Sequence, residues 1–149
     1  MKKNISLAVF SIMLWTAAGQ TTWYVSPSGD NNRNSGYLDW DDAFKDLQKA
    51  IDEADDGDEI WVATVTGGTL YTPTKGILGA GVLSGHETFY INKNITIYGG
   101  FVGNEIRLSD RPAGGKSILM GEIIGAENAV LDGCEIVINA TKEDGEKKN

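Results

Sequence analysis

The stretch from Trp40 to Ala63 constrains this chain more than any other, because it joins a helical period to a strand period through one acidic turn. Trp40, Ala43, Phe44, Leu47, Ala50, Ile51 and Ala54 recur at spacings of three and four, which places them on one stripe of an amphipathic helix. Asp39 is positioned as its N-cap, and Asp41 and Asp42 lie in the first turn, where carboxylates meet free N–H groups and the positive end of the dipole. The opposite face carries Asp41, Lys45, Asp46, Lys49, Asp52 and Glu53, with favourable pairs at Asp41 and Lys45 and at Lys49 and Glu53. Isolated helices shorter than roughly 12–15 residues are marginal in water, so the apolar stripe requires a packing partner. Asp55-Asp56-Gly57-Asp58 ends the helix, with Gly57 suited to left-handed backbone. Glu59 to Ala63 then reads as a strand, Ile60 and Val62 on one face and Trp61 on the other.

The first segment is separable. Lys2 and Lys3 precede an apolar run from Ile5 to Trp15, and Thr16-Ala17-Ala18-Gly19 follows with small residues, the pattern of a signal peptide over residues 1–19 cut before Gln20. The run is far shorter than the roughly 20 residues of a membrane-spanning helix, so no spanning segment is expected once it is removed. This reading makes the protein exported, extracellular or at the cell surface. The 149 residues include 13 basic and 21 acidic side chains, a net charge of −8, and removing Lys2 and Lys3 leaves −10. Nucleic acid and anionic membrane surfaces are poor partners for such a chain. Cys134 is the single cysteine, so no internal disulfide forms. Nineteen glycines against three prolines suit a β-rich chain with many turns.

Taken in order, residues 20–58 supply a short strand at Thr22 to Val25, a polar loop and the helix. Within the loop, Asp30, Asn32, Asn34 and Asp41 partly match a calcium loop, yet the glycine falls one place late and no Glu closes the site. An Asx-rich turn is the simpler reading. Residues 59–140 carry the remaining strands, interrupted by a long Gly/Thr-rich insertion from Thr64 to Thr88 of a length that usually signals function. Phe89-Tyr90-Ile91, a tight Asn92-Lys93-Asn94 turn and Ile95 to Phe101 resume strand character. Ile97-Tyr98-Gly99, Leu119-Met120-Gly121 and Leu131-Asp132-Gly133 share a pattern at intervals of 22 and 12 residues. The first interval suits one turn of a β-solenoid; the second implies a different strand of the same coil or a missing piece. Cys134 to Ile138 is the last strand, and residues 141–149 form a charged tail expected to fray.

Tyr24-Val25-Ser26-Pro27-Ser28-Gly29, Trp40 with Ala43-Phe44 and Leu47-Gln48, Gly57-Asp58 with Ile60 and Val62, Tyr71-Thr72-Pro73, Ile97 to Phe101 and Leu131-Asp132-Gly133 together resemble exported bacterial proteins of the pectin-lyase-like class. These surface proteins are similar to polymorphic outer-membrane-protein repeats. The resemblance runs from about Trp23 to Asn139 and implies a mostly β fold, a right-handed parallel β-helix of about three coils whose amphipathic helix caps the N-terminal end. Family members continue through further coils, so the chain reads as a truncated piece of a longer protein, with an uncapped C-terminal end through which it self-associates.

Enzymes of this fold are polysaccharide lyases or hydrolases that cluster carboxylates, calcium and a basic residue on central coils. Here Asp55, Asp56, Asp58 and Glu59 form the densest acidic group, and they sit in the turn after the helix, where a solvated turn is the simpler reading than a cation site. Arg107 and Arg111, around Leu108-Ser109-Asp110, match a family loop and read as anchors for Asp110 or a backbone carbonyl. His86 and Cys134 are conceivable as a dyad, although Cys134 reads better as a small buried hydrophobe. Trp23, Trp40, Trp61, Tyr90 and Tyr98 are candidate sugar platforms whose spacing also fits packing. Asn94-Ile95-Thr96 and Asn139-Ala140-Thr141 fit a glycosylation sequon. No catalytic residue, metal ligand or cofactor is assigned. The resulting expectation is a non-catalytic exported β-helix protein with a structural, adhesive or glycan-binding role and glycans or surface proteins as partners. The alternative is a remnant of a carbohydrate-active β-helix enzyme.

Overall fold

Among the described residues every strand pairing is parallel, and each sheet collects strands that lie far apart in sequence. The computed structural model describes residues 19–32, 36–64, 70–74 and 88–138. The strands are β1 (Thr22–Val25), β2 (Glu59–Ala63), β3 (Thr88–Ile91), β4 (Thr96–Phe101), β5 (Ser117–Met120), β6 (Glu122–Gly125), β7 (Val130–Asp132) and β8 (Cys134–Val137). A first sheet has the order β1-β2-β4-β7, a second pairs β3 with β6, and a third pairs β5 with β8. Tyr71 adds an isolated parallel bridge to Leu119 of β5, so it stands where a further strand of the third sheet would stand. Residues 1–18 of the expected signal peptide over 1–19, most of the Thr64 to Thr88 insertion, His86 and residues 139–149 lie outside the described residues.

The register corrects the spacing inferred from sequence. Trp23, Ile60 and Ile97 stand opposite one another at intervals of 37 residues, and Leu131 follows Ile97 after 34. Leu119 belongs to the third sheet and pairs with Ile136, so the 22-residue interval joins two different sheets and is no repeat. The inward columns of the three sheets converge on one core containing Val25, Ile60, Val62, Phe89, Ile91, Ile95, Ile97 and Leu119. Parallel strands buried on one side need this apolar alternation, and Ile95 and Ile97 share a buried face as their spacing requires.

The predicted helix over 40–54 is broken in two. Trp40–Asp42 is a short 3-10 helix and Leu47–Glu53 is the α-helix, α1. Between them Ala43 is extended, and Phe44 lies alongside Val25 as a parallel bridge. The Phe44 N–H donates to the Tyr24 carbonyl at 2.8 Å, and the Phe44 carbonyl accepts from the Ser26 N–H at 2.9 Å. The Tyr24 N–H donates to the Gly36 carbonyl at 2.7 Å. The outer edge of β1 would otherwise carry unpaired polar groups, and satisfying them outweighs two turns of helical propensity. Gly36 has φ +56°, and a Cβ there would stand 2.2 Å from the Phe44 ring, so only glycine fits under it. The apolar stripe still packs as its period demands, because Ala43, Phe44, Leu47, Ala50, Ile51 and Ala54 are all buried.

Gln48 performs the same service for β3. It is 1 % exposed. Its carbonyl oxygen accepts from the Tyr90 N–H at 2.9 Å, and its amide nitrogen donates to the Tyr90 carbonyl at 3.1 Å. One side-chain amide thus stands in for the peptide unit of a missing neighbouring strand. Asp52 holds that amide from the other side at 3.1 Å.

A bulge opposite Val62 inserts one extra residue into β4 at Gly99 and Gly100. Gly100 has φ +88°, and a Cβ there would stand 2.3 Å from the Gly115 carbonyl oxygen. The buried Ser117 hydroxyl repairs the ladder, accepting from the Gly100 N–H at 3.0 Å and lying 2.9 Å from the Val62 carbonyl oxygen.

Replacing Gln48 with Leu keeps the volume and strands both Tyr90 groups, so chemical denaturation should show a loss of about 1–3 kcal/mol. Gln48→Glu, which can accept from Tyr90 but cannot donate to it, should fall between the two. A Leu variant as stable as wild type would refute the edge-sealing role.

Candidate functional site

The acidic turn after α1 is built into the fold. Asp58 is buried, and its carboxylate accepts from the Thr21 N–H, the Asp55 N–H and the Trp23 indole N–H, each at 2.9 Å. Burial alone would raise its pKa. The hydrogen bonds from Asp55, Trp23 and Thr21 and the charge of Lys93 outweigh that, and the carboxyl titrates below its ordinary value. Asp56 accepts from the Asn94 N–H at 2.8 Å, and Glu59 accepts from the Trp61 indole at 3.0 Å. Lys93 donates to the Asp52 carbonyl at 2.8 Å and to the Ala54 carbonyl, placing a cation at the C-terminal end of α1. Among the described residues no group of three or more His, Cys, Asp or Glu side chains is arranged to hold a metal ion.

The polar loop before the 3-10 helix is likewise structural where it is described. Asp30 accepts from the main chain and side chain of Asn32, an Asx turn. The Asn31 side-chain oxygen accepts from the Lys45 and Asp46 N–H groups, both at 3.0 Å, and so caps the start of α1 from a distant loop. Asn34, the third oxygen of the calcium-like pattern, lies outside the described residues. Asp39 caps the 3-10 helix as its sequence position implies, accepting from Asp41 and Asp42 N–H groups.

Side chains on the outer face of the first sheet form a continuous aromatic layer. Trp61 stacks on Phe101 with centroids 4.6 Å apart, Tyr24 meets Trp61 edge-on at 5.7 Å, and Trp40 meets Tyr24 at 5.0 Å. Trp61 and Phe101 are buried, so they are core. Trp23 faces the other way, stacked on Phe44 at 6.0 Å. Tyr98 is covered by the Arg111 guanidinium 5.5 Å from its centroid. Arg111 also reaches the Gly99 carbonyl and both Asp132 carboxylate oxygens at 3.3 Å. Its partner is therefore Asp132 and a backbone carbonyl, whereas Asp110 accepts from the Arg107 N–H at 3.2 Å. Tyr90 is the exposed member of the aromatic set.

Glu105 is a residue that sequence reasoning passed over. Its carboxylate accepts from three consecutive main-chain donors, Val102 at 2.6 Å, Gly103 at 2.9 Å and Asn104 at 3.0 Å. Burial would raise its pKa, but these hydrogen bonds prevail and hold it below the usual carboxylate range. Gly103 before a Glu two residues on was the available signal, a tight turn with its own anion. The Trp40 indole donates to the Glu105 carbonyl at 3.0 Å. Between the 3-10 helix and this loop opens a cleft of about 380 Å³, lined by Tyr24, by Leu38 to Asp41 and by Gly103 to Ile106 of the loop. The Tyr24 phenol is pushed up by burial and then by the Asp39 charge.

Cys134 is half-buried, and burial pushes its thiol up to about 11, so it is not a ready thiolate. Its supposed partner His86 lies outside the described residues. No protein-family model, curated protein or solved structure matches the chain.

The Asp58 network carries a pH dependence of known sign. Its folded pKa lies below the ordinary aspartate value of about 3.9, so its stabilisation is complete above that value and is lost as pH falls through the depressed folded pKa. Urea unfolding of wild type and Asp58→Asn between pH 7 and pH 2 should show the variant weaker at neutral pH by about 1–3 kcal/mol and flatter in acid. Parallel acid limbs would exclude Asp58 as the group responsible.

Proposed function

We propose that this chain is the capped N-terminal end of a right-handed parallel β-helix, the fold of the pectin-lyase-like surface proteins, and that it serves as a non-catalytic exported protein with a structural, adhesive or glycan-binding role. One observation carries the reading: the two ends of the sheets are treated differently. At the first end Phe44 and Gly36 seal β1, Gln48 seals β3, and α1 covers the core. At the other end, β7, β8 and β6 are the last strands of their sheets among the described residues. Ile136 there is 48 % exposed and Leu131 and Ile123 are half-buried. A sealed end followed by a stackable one is the arrangement that a coiled stack of parallel strands requires. The chain visits the three sheets in recurring order, β2-Tyr71-β3, then β4-β5-β6, then β7-β8, which supports the same fold. Crossovers between parallel strands are right-handed in nearly all proteins.

The non-catalytic part of the reading rests on where the acids go. Asp58 and Glu105 accept main-chain and indole hydrogen bonds, and Asp132 holds Arg111, which leaves these carboxylates engaged in structure. Export rests on the pattern of residues 1–19. No helix among the described residues is long and apolar enough to cross a membrane.

Light scattering after size exclusion should show concentration-dependent association of the purified protein, abolished by Ile136→Lys at the exposed edge. A monomer at every concentration would overturn the stackable end. Release of unsaturated sugar ends from acidic polysaccharides would overturn the non-catalytic role in favour of a lyase remnant.

A further inference from the structure

We propose that the cleft between the Trp40–Asp42 3-10 helix and the Glu105 loop binds a neutral pyranose sugar. The inference deepens the surface-protein reading by naming the class of glycan, and it rests on that reading only in taking the sugar as ligand rather than substrate.

The lips of the cleft are anomalous for a folded chain. Leu38 is 63 % exposed and Ile106 is 85 % exposed, and both line the same cleft. Single exposed apolar residues are ordinary, but two large ones lining one concavity together with two aromatic residues form a surface that water solvates poorly. The volume of about 380 Å³ falls within the range of small-molecule sites. Trp40 and Tyr24 are the aromatic members of its lining, and the polar side chains there are the Asp39, Asp41 and Glu105 carboxylates, the Tyr24 phenol and the Asn104 amide. A pyranose is the complement of this set: one face of C–H bonds for the aromatic and aliphatic walls, and an equatorial rim of hydroxyls for a carboxylate, a phenol and an amide.

The walls are also held in advance. Asp39 accepts from two N–H groups of the 3-10 helix, Glu105 accepts from three of its own loop, and the Trp40 indole ties helix to loop through the Glu105 carbonyl. A site whose loops are already ordered loses less entropy on binding. Charge selects among sugars. Among the described residues that line the cleft none is basic, and Asp39, Asp41 and Glu105 are acidic, so a uronate would meet repulsion with no countercharge among them. The favoured ligand is therefore the opposite of the acidic polysaccharide that a lyase remnant would take.

Titration calorimetry on the full protein with maltotriose, cellotriose and triacetylchitotriose tests the site, with trigalacturonate and spermidine as anionic and cationic comparisons. At least one neutral trisaccharide should bind at millimolar concentration or tighter. Asp39→Asn keeps an acceptor for the helix cap and removes the charge, and should weaken binding about tenfold, the loss of one charge-assisted hydrogen bond. Ile106→Ser, at a solvent-exposed position, should weaken it several-fold with an unchanged melting curve. Failure of all three neutral sugars to bind, unaltered affinity in both variants, or preference for trigalacturonate or spermidine would each overturn the proposal. Chromatography of the recovered sugar separates the two readings: binding that the variants weaken upholds the site even if the sugar is cut, and cutting overturns only the non-catalytic role.

Discussion

A parallel sheet whose strands come from distant parts of the chain has an edge strand with one side left unpaired by the sheet, and the rest of this structure depends on how that row of N–H and C=O groups on β1 is satisfied. An unpaired buried backbone group costs about as much as a lost hydrogen bond, and an unpaired exposed one recruits other chains. The protein answers with local chain rather than another strand. Phe44 leaves the helical path to bond both sides of Tyr24 and Ser26, Gly36 accepts from Tyr24, and the Gln48 amide pairs with both groups of Tyr90. α1 is short because its first turns are spent on this sealing.

Polar side chains inside the fold follow the same rule. Asp58, Glu105 and Ser117 are buried, and each is surrounded by donors or acceptors that the backbone leaves free at a turn, a loop or a bulge. In low dielectric such hydrogen bonds strengthen, and a missing partner is correspondingly expensive. A carboxylate in these positions is therefore a structural element: of the acidic run after α1, Asp56, Asp58 and Glu59 each accept hydrogen bonds from main chain or indole. Arg111 closes the outer face in the same manner, tying Asp132 of β7 to the Gly99 carbonyl at the bulge.

Much of this was legible in the residues. The alternation at Ile60, Val62, Ile95 and Ile97 predicted buried strand faces, the three-four period from Ala43 to Ala54 predicted a buried stripe, and Asp39 was recognisable as a cap. The break at Ala43 and Phe44 was not legible, because a helical stripe and a stripe interrupted by an extended bridge bury the same side chains. β6 was missed because Ile123 and Ile124 are adjacent between glycines, too short a run to show a period of two. Tyr71 lay within a stretch that reads as loop, and only its bridge to Leu119 reveals it as part of a sheet. Of the aromatic residues of the cleft Trp40 was singled out by type and Tyr24 was not; Glu105 had only the Gly103 turn to mark it, and Leu38 and Ile106 carried no signal, since their roles come from juxtaposition.

By itself the sequence determined which side chains are apolar at which period, and hence that short buried strands and an amphipathic segment must pack together. It also determined the positions where only glycine tolerates the backbone, as at Gly36 and Gly100. Register, strand partners and the division of labour among acids were decided by tertiary structure. Pairing of Trp23 with Ile60, Ile97 and Leu131 depends on contacts across 34 to 37 residues, and local pattern carries no record of that distance. Whether a carboxylate faces water, a cation or three N–H groups is set by backbone brought to it from elsewhere, because the energy of a charge lies in its surroundings rather than in its residue type.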